Sequence, residues 1–180
     1  MPPPIGAVLC GGASRRMGTD KSLLPVSGVA MARRVADALA VAGCSPVVAI
    51  GGNSAELETL GLEFREDDFP GEGPLGGVLT ALGIGSPVVV AACDLADLGS
   101  GTVTSLMDAL GDHDAAVAFS DRTEPLCAIW TDRATTVLRA RFEAGERAMH
   151  RAIEGLDIAW VTVPGDELRN VNTPDDVGSA

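Results

Sequence analysis

The stretch Ile5-Gly6-Ala7-Val8-Leu9-Cys10-Gly11-Gly12-Ala13-Ser14-Arg15-Arg16-Met17-Gly18-Thr19-Asp20-Lys21 sets the fold. Its opening run, Ile5–Cys10, is unbroken and apolar, the pattern of a strand buried on both faces. Paired glycines follow at once, so a backbone without Cβ atoms can approach a bulky ligand closely. N–H groups exposed in such a turn form an anion-binding concavity. Arg15, Arg16 and Lys21 place three of the 13 basic residues in this one loop. The loop is not G-x-x-x-x-G-K-[ST], because Thr19 and Asp20 separate Gly18 from Lys21. Nor is it G-x-G-x-x-G, because Gly11 and Gly12 are adjacent. From glycine and charge alone it is either a cationic cradle for a polyphosphate or a strand-to-helix turn with solvated charges.

The rest of the chain sharpens that choice. Its 180 residues carry a net charge of −12, are 46% hydrophobic and include 22 glycines. That length fits one domain spanning residues 1–180, with enough apolar surface for a sizeable core. The acidic excess argues against nucleic acid or an anionic membrane as partner, since both need a basic field. An anion must therefore be captured locally. The longest apolar runs fall far short of the ~20 residues of a membrane span. Met-Pro-Pro-Pro at the start is not a signal peptide. Cys10, Cys44, Cys93 and Cys127 lie far apart with no C-x-x-C pair, and read as small apolar residues of a cytoplasmic protein.

Outward from the first strand, short β-rich runs alternate with helical ones. Strands are expected at Pro46–Ile50, Leu62–Glu66, Val88–Cys93, Ala115–Phe119, Leu126–Trp130 and Ile158–Val163. Helices are expected at Met31–Ala42, Ser54–Leu60, Leu75–Leu82, Thr102–Leu110, Ala134–Ala144 and Ala148–Gly155. On the first of these Val35, Leu39 and Ala42 share a stripe, and Gly43 supplies a C-terminal stop. The order predicts a Rossmann-like three-layer α/β/α fold with a mainly parallel sheet. Ligands of such sheets bind outside the carboxyl ends of the strands, at a topological switch point. The loops 11–21, 51–53 and 93–97 are thus the places to look. Asp94 closes the strongest apolar strand there, and a hard cation such as Mg²⁺ takes one or two such carboxylates plus phosphate oxygens.

The pattern L-x-G-G-x-S-x-R-M-G-x-D-K is present as Leu9, Gly11, Gly12, Ser14, Arg16, Met17, Gly18, Asp20 and Lys21. It resembles the signature loop of the molybdenum cofactor guanylyltransferase (MobA) family of nucleotidyltransferases. Four further motifs follow in the family's order. Glu66-Asp67 with Gly73-Pro74-Leu75-Gly76-Gly77 is similar to its E-D…G-P-L-x-G element. Cys93-Asp94 is similar to C-D-x-P, although Ala96 stands where the proline is expected. Ala144-Gly145-Glu146-Arg147 matches A-G-E-R, and Asn170-Val171-Asn172-Thr173-Pro174-Asp175-Asp176 matches the terminal N-V-N-T-P element. The resemblance runs from Ile5 to Asp176.

It implies a fold like that of nucleotide-diphospho-sugar transferases, and transfer of GMP from GTP to the terminal phosphate of molybdenum-molybdopterin. The nucleotide would be held by Leu9, Cys10, Gly11, Gly12, Lys21, Asn53, Asp67 and Asp94. Arg16, Lys21 and Asp94 would carry catalysis, with Mg²⁺ on Asp94. Asn170 and Asn172, alternating on one strand face, would hold the acceptor, and Glu124-Pro125-Leu126 would lie on the acceptor side. A transient contact with molybdoenzyme maturation proteins is also implied. Asn53 fits a plain turn equally well, and Asp97 reads either as a group supporting the metal-binding carboxylate from behind or as a solvated side chain, the second being preferred. His113 and His150 form no ligand set, with His150 on a helix surface, and Trp130 and Trp160 read as core or rim packing. Three rivals stay open: a cytidylyltransferase relative, whose loop reads L-A-A-G; a sugar-1-phosphate nucleotidyltransferase, for which 180 residues leave little room; and a non-catalytic cofactor carrier.

Overall fold

Ile5–Leu9 (β1) occupies the third position in a seven-stranded sheet, and its apolar sequence explains the place: Ala7 and Val8 have no exposure on either face. The computed structural model describes residues 2–11 and 21–171. A 3-10 turn at Lys21–Leu23 leads to a small antiparallel ribbon of Pro25–Val26 (β2) and Val29–Ala30 (β3). Helix Met31–Val41 (α1) follows directly. The chain continues through Val47–Ile50 (β4), Ser54–Thr59 (α2), Glu63–Arg65 (β5), Pro74–Leu82 (α3) and Val88–Ala92 (β6). Ser100–Ala109 (α4), Ala115–Phe119 (β7), Thr123–Trp130 (β8), Asp132–Glu143 (α5), Met149–Ala152 (α6) and Ile158–Thr162 (β9) complete it.

The strand order is β5-β4-β1-β6-β8-β7-β9. Pairing is parallel throughout this sheet except along both edges of β8, which runs against β6 and β7. Alternating side chains build two cores. On one face Val8, Val89, Ala116 and Ile129 pack with Val35 and Leu39 of α1 and Leu106 of α4. On the other, Leu9, Val90, Val117 and Trp130 pack with Leu79 of α3 and Leu138 of α5. This is the expected α/β/α sandwich. Truncating a fully buried leucine such as Leu39 or Leu138 to alanine costs about 2–5 kcal/mol.

Gly43 ends α1 as expected. It takes φ +101°, its N–H reaches Ala40 O, and Cys44 N–H reaches Leu39 O at 3.0 Å, a Schellman closure. All four cysteines are buried. Burial pushes the Cys44 thiol up to about 11 and the Cys127 thiol up to about 12, so both pack as neutral apolar groups. Trp130 is fully buried, whereas Trp160 sits half-exposed on the edge strand β9. His150 is exposed on α6. No helix among the described residues is long and apolar enough to cross a membrane.

Three expectations change, the first being that the helix expected at Ala148–Gly155 is a single turn at Met149–Ala152. The strand placed at Leu126–Trp130 begins earlier, at Thr123, and runs antiparallel. Asn170 lies in an irregular segment rather than on a strand. There the backbone turns at 165–168 after Pro164, and Val171 N–H is spent on Asp94 O.

Candidate active site

The order β5-β4-β1-β6 creates the switch point. From β1 the chain steps to β4 and β5 on one side, then crosses back to place β6 on the other. The carboxyl ends of β1 and β6 therefore flank one crevice. Cys93 N–H donates to Leu9 O at 3.1 Å and Cys10 N–H to Ile50 O at 2.9 Å, which ties three strand ends together. Leu9 and Cys10 are themselves buried. Gly11 emerges exposed. Gly51, at φ +69°, comes so close that a Cβ on it would stand 3.2 Å from both N and Cα of Gly11. Only glycine permits that approach.

Across this crevice Lys21 Nζ donates to Asp94 Oδ2 at 2.9 Å. The two side chains are only 15% and 21% exposed, so the pair is shielded enough to hold a defined geometry. Thus the predicted cation and carboxylate share one site, although 73 residues separate them. Arg16 and Gly12 lie outside the described residues, as do Asn172 and the Thr173-Pro174 helix start. Asn170 belongs to this place through its neighbour: Val171 N–H donates to Asp94 O at 2.9 Å.

Asp67 is held from behind. Its Oδ1 accepts from Thr80 Oγ1 at 2.8 Å and from Phe69 N–H at 3.0 Å. Its Oδ2 faces Gly11, 3.8 Å from where a Cβ there would sit. Thr80, wholly buried on α3, was invisible as a site residue in the sequence because an apolar helix face surrounds it. Asn53 follows Gly51 and Gly52 at the end of β4 and caps α2, its side chain accepting from Glu56 N–H at 3.4 Å. Asp97 departs from the preferred of its two readings. It is braced rather than solvated, with Arg34 at 3.5 Å and Arg169 at 3.2 Å. No local pattern reports partners so far along the chain.

Because β8 is reversed, its start rather than its end lies at the carboxyl ends of β6 and β7, with Thr123 opposite Phe119 and Cys127 opposite Ala91. Glu124 is thereby brought to the ligand edge. Burial raises its carboxyl above the usual range, and the Asp94 charge adds to this against the Leu126 N–H and Arg122. An open cavity of about 470 Å³ is lined here by Pro74, Glu124, Leu126, Arg147 and His150. Arg147 stands 4.1 Å over the Phe142 ring, and its Nε donates to Glu72 at 2.5 Å. Glu146 accepts from Arg147 N–H and Ala148 N–H and pairs with Arg151, which holds its carboxyl down at about 2. Among the described residues no three His, Cys, Asp or Glu gather as a metal-ligand set.

Chemically, the arrangement offers a glycine-lined backbone crevice, a cation beside a carboxylate, and an adjoining side-chain pocket. A family model described as a MobA-like NTP transferase domain matches residues 6–159. A molybdenum cofactor guanylyltransferase of Rhodobacter capsulatus is 36% identical over 185 residues, covering 97% of this chain and 93% of that protein. The crystal structure of molybdopterin-guanine dinucleotide biosynthesis protein A from Archaeoglobus fulgidus superposes with a TM-score of 0.77 at 26% identity, covering 96% of this chain and 94% of that one. A 2-C-methyl-D-erythritol 4-phosphate cytidylyltransferase from Thermus thermophilus, at 17% identity, covers 97% of this chain and 95% of its own with a TM-score of 0.74, and shares the fold.

Proposed function

This chain belongs to the MobA-like NTP transferase family, and from that premise we propose that it transfers GMP from GTP to the terminal phosphate of molybdenum-molybdopterin. One observation carries the reading: Lys21 and Asp94 meet at 2.9 Å at the switch point, beside Gly11. An acceptor phosphate oxygen is already ionised at neutral pH, so no protein nucleophile or strong base is needed. That oxygen attacks the α-phosphorus in line. The new P–O bond forms as the α–β bridging bond breaks, and pyrophosphate leaves with the electron pair. The product is molybdopterin guanine dinucleotide. The protein's work is alignment and charge compensation.

In this reading the loop from Gly11 and Gly12 to Gly18 cradles the phosphates, Leu9 and Cys10 border the nucleotide at the strand end, and Arg16 and Lys21 offset charge on the β- and γ-groups. Asp67 Oδ2, locked by Thr80, accepts from nucleotide donors. Asn170 and Asn172 hold the acceptor. The chemistry of the donor set suits Mg²⁺: Asp94 stands at the strand end with one oxygen on Lys21, and a hard cation of this kind takes one or two carboxylates plus substrate oxygens. When bound, Mg²⁺ would supply charge neutralisation at the α-phosphate. The setting is the cytoplasm, where GTP is at hand, with the finished cofactor passed on by transient contact with molybdoenzyme maturation proteins.

The test is pyrophosphate release by the purified chain with Mg²⁺ and molybdenum-molybdopterin, offered GTP, CTP, ATP or UTP in turn. GTP alone should support turnover. A preference for CTP would install the cytidylyltransferase rival, and silence with all four would favour the non-catalytic carrier.

A further inference from the structure

The loop after β6 makes two consecutive turns: Leu95 N–H returns to Ala92 O at 3.2 Å, and Leu98 N–H to Leu95 O at 3.0 Å. Ala96 is the first central residue of the second turn. That is where proline is most favoured, because its ring pre-sets the required φ. The motif C-D-x-P would put proline there, and this chain has alanine. No described hydrogen bond uses the Ala96 N–H, so the exchange would remove no backbone hydrogen bond. An alanine leaves the unfolded turn more conformations to surrender, and the loop that carries Asp94 is not stiffened from within.

It is stiffened from outside. Arg34, on α1, donates through Nε to Ala96 O at 2.7 Å and through its terminal nitrogen to Asp97 Oδ1 at 3.5 Å. Arg169 donates to Asp97 Oδ2 at 3.2 Å from the opposite side. Two residues after Arg169, Val171 N–H grips Asp94 O at 2.9 Å. Asp97 is thus the knot where α1, the turn and segment 169–171 meet. The same two guanidiniums occupy the carboxylate oxygens that stand three residues from Asp94, keeping Asp97 from competing for a cation.

We propose that Asp97, clasped by Arg34 and Arg169, is a positioning residue that fixes the Asp94 loop in place of the absent proline. The inference rests on the reading of Asp94 as the cation-bearing carboxylate. Groups that orient a ligand without touching the metal commonly govern affinity or activity by about 10- to 100-fold.

The test uses Asp97→Ala, Arg34→Gln, Ala96→Pro and the double variant Asp97→Ala/Ala96→Pro of the full chain. Mn²⁺ affinity is read by electron paramagnetic resonance with GTP and no acceptor, and pyrophosphate release is read separately. Asp97→Ala and Arg34→Gln should each weaken Mn²⁺ binding and lower kcat by about tenfold, with the KM for GTP within about twofold of wild type. Ala96→Pro alone should match wild type, and in the double variant it should restore both readouts. If Asp97→Ala does not fold, Arg34→Gln carries the same expectation. Wild-type Mn²⁺ affinity in the brace variants, or no restoration by a proline that is harmless alone, overturns the proposal. A wild-type protein that never releases pyrophosphate from GTP, while Mn²⁺ affinity still falls and recovers as described, would sink the guanylyl-transfer reading and keep the brace.

Discussion

The two sides of the crevice are built differently. Around β5, β4, β1 and β6 every strand is parallel, and the ligand edge is backbone: Gly11 against Gly51, with Asp67 and Asp94 at strand ends. Around β8, β7 and β9 the edge is side chains, because the reversed β8 presents Glu124 and Leu126 at its start beside Arg147. Backbone recognises what all substrates of a family share, a phosphate chain. Side chains recognise what distinguishes one acceptor from another. Under the proposed function the first side would hold the nucleotide and the second the acceptor.

The largest effect should fall on the parallel side. Asp94→Asn keeps the shape of the side chain but removes its charge, and pyrophosphate release should drop by more than about 10²-fold while circular dichroism stays native. Turnover near wild type would remove Asp94 from the chemistry. Lys21→Ala should weaken GTP about tenfold, as the loss of one charge-assisted contact implies, measured by calorimetry. An unchanged affinity would move the phosphate clamp elsewhere.

On the other side, Arg147→Ala should raise the acceptor KM several-fold and leave the KM for GTP alone. It also loses a half-exposed ion pair and a cation–π contact, together about 1 kcal/mol of stability. A shift in the GTP term instead would erase the division between the two sides.

The smallest effects are in pH. Glu124 has its carboxyl raised by burial, so the folded protein holds a proton after the unfolded chain has released it. Stability therefore falls as pH climbs above the ordinary value of 4.5. Glu146 is lowered from 4.5 to about 2 by Arg151 and two N–H groups, so its contribution is intact above 4.5 and disappears as pH falls through about 2. Urea midpoints across pH should show Glu124→Gln flattening the upper slope and Glu146→Gln flattening the acid one.

Much of the parallel side was legible in the sequence. Ile5–Cys10 and Val88–Cys93 announce doubly buried strands, and the glycines and Asp94 sit where strand ends must place them. The reversal of β8 was legible in principle as well. Only Ser120, Asp121 and Arg122 separate β7 from β8, far too few for the dozen or more residues of a parallel crossover. Even the expected start at Leu126 leaves only residues 120–125 between the two strands, so the expected bounds already excluded a parallel crossover. Nothing local could reveal the partners of Asp97: they lie 63 and 72 residues away, and Arg34 looks like any surface charge beside Arg33. The ion pair of Lys21 was expected only as shared membership of a site, because spacing along the chain carries no distance in space.

The tight link Ser120–Arg122, with Ser120 N–H closing on Arg122 O at 3.1 Å, hangs at the rim where the two substrates would meet. Its tip faces solvent, so residues can be inserted or exchanged there without disturbing either core. A descendant of this protein could therefore take on a bulkier or differently charged acceptor by rewriting a single hairpin, and keep its nucleotide chemistry untouched.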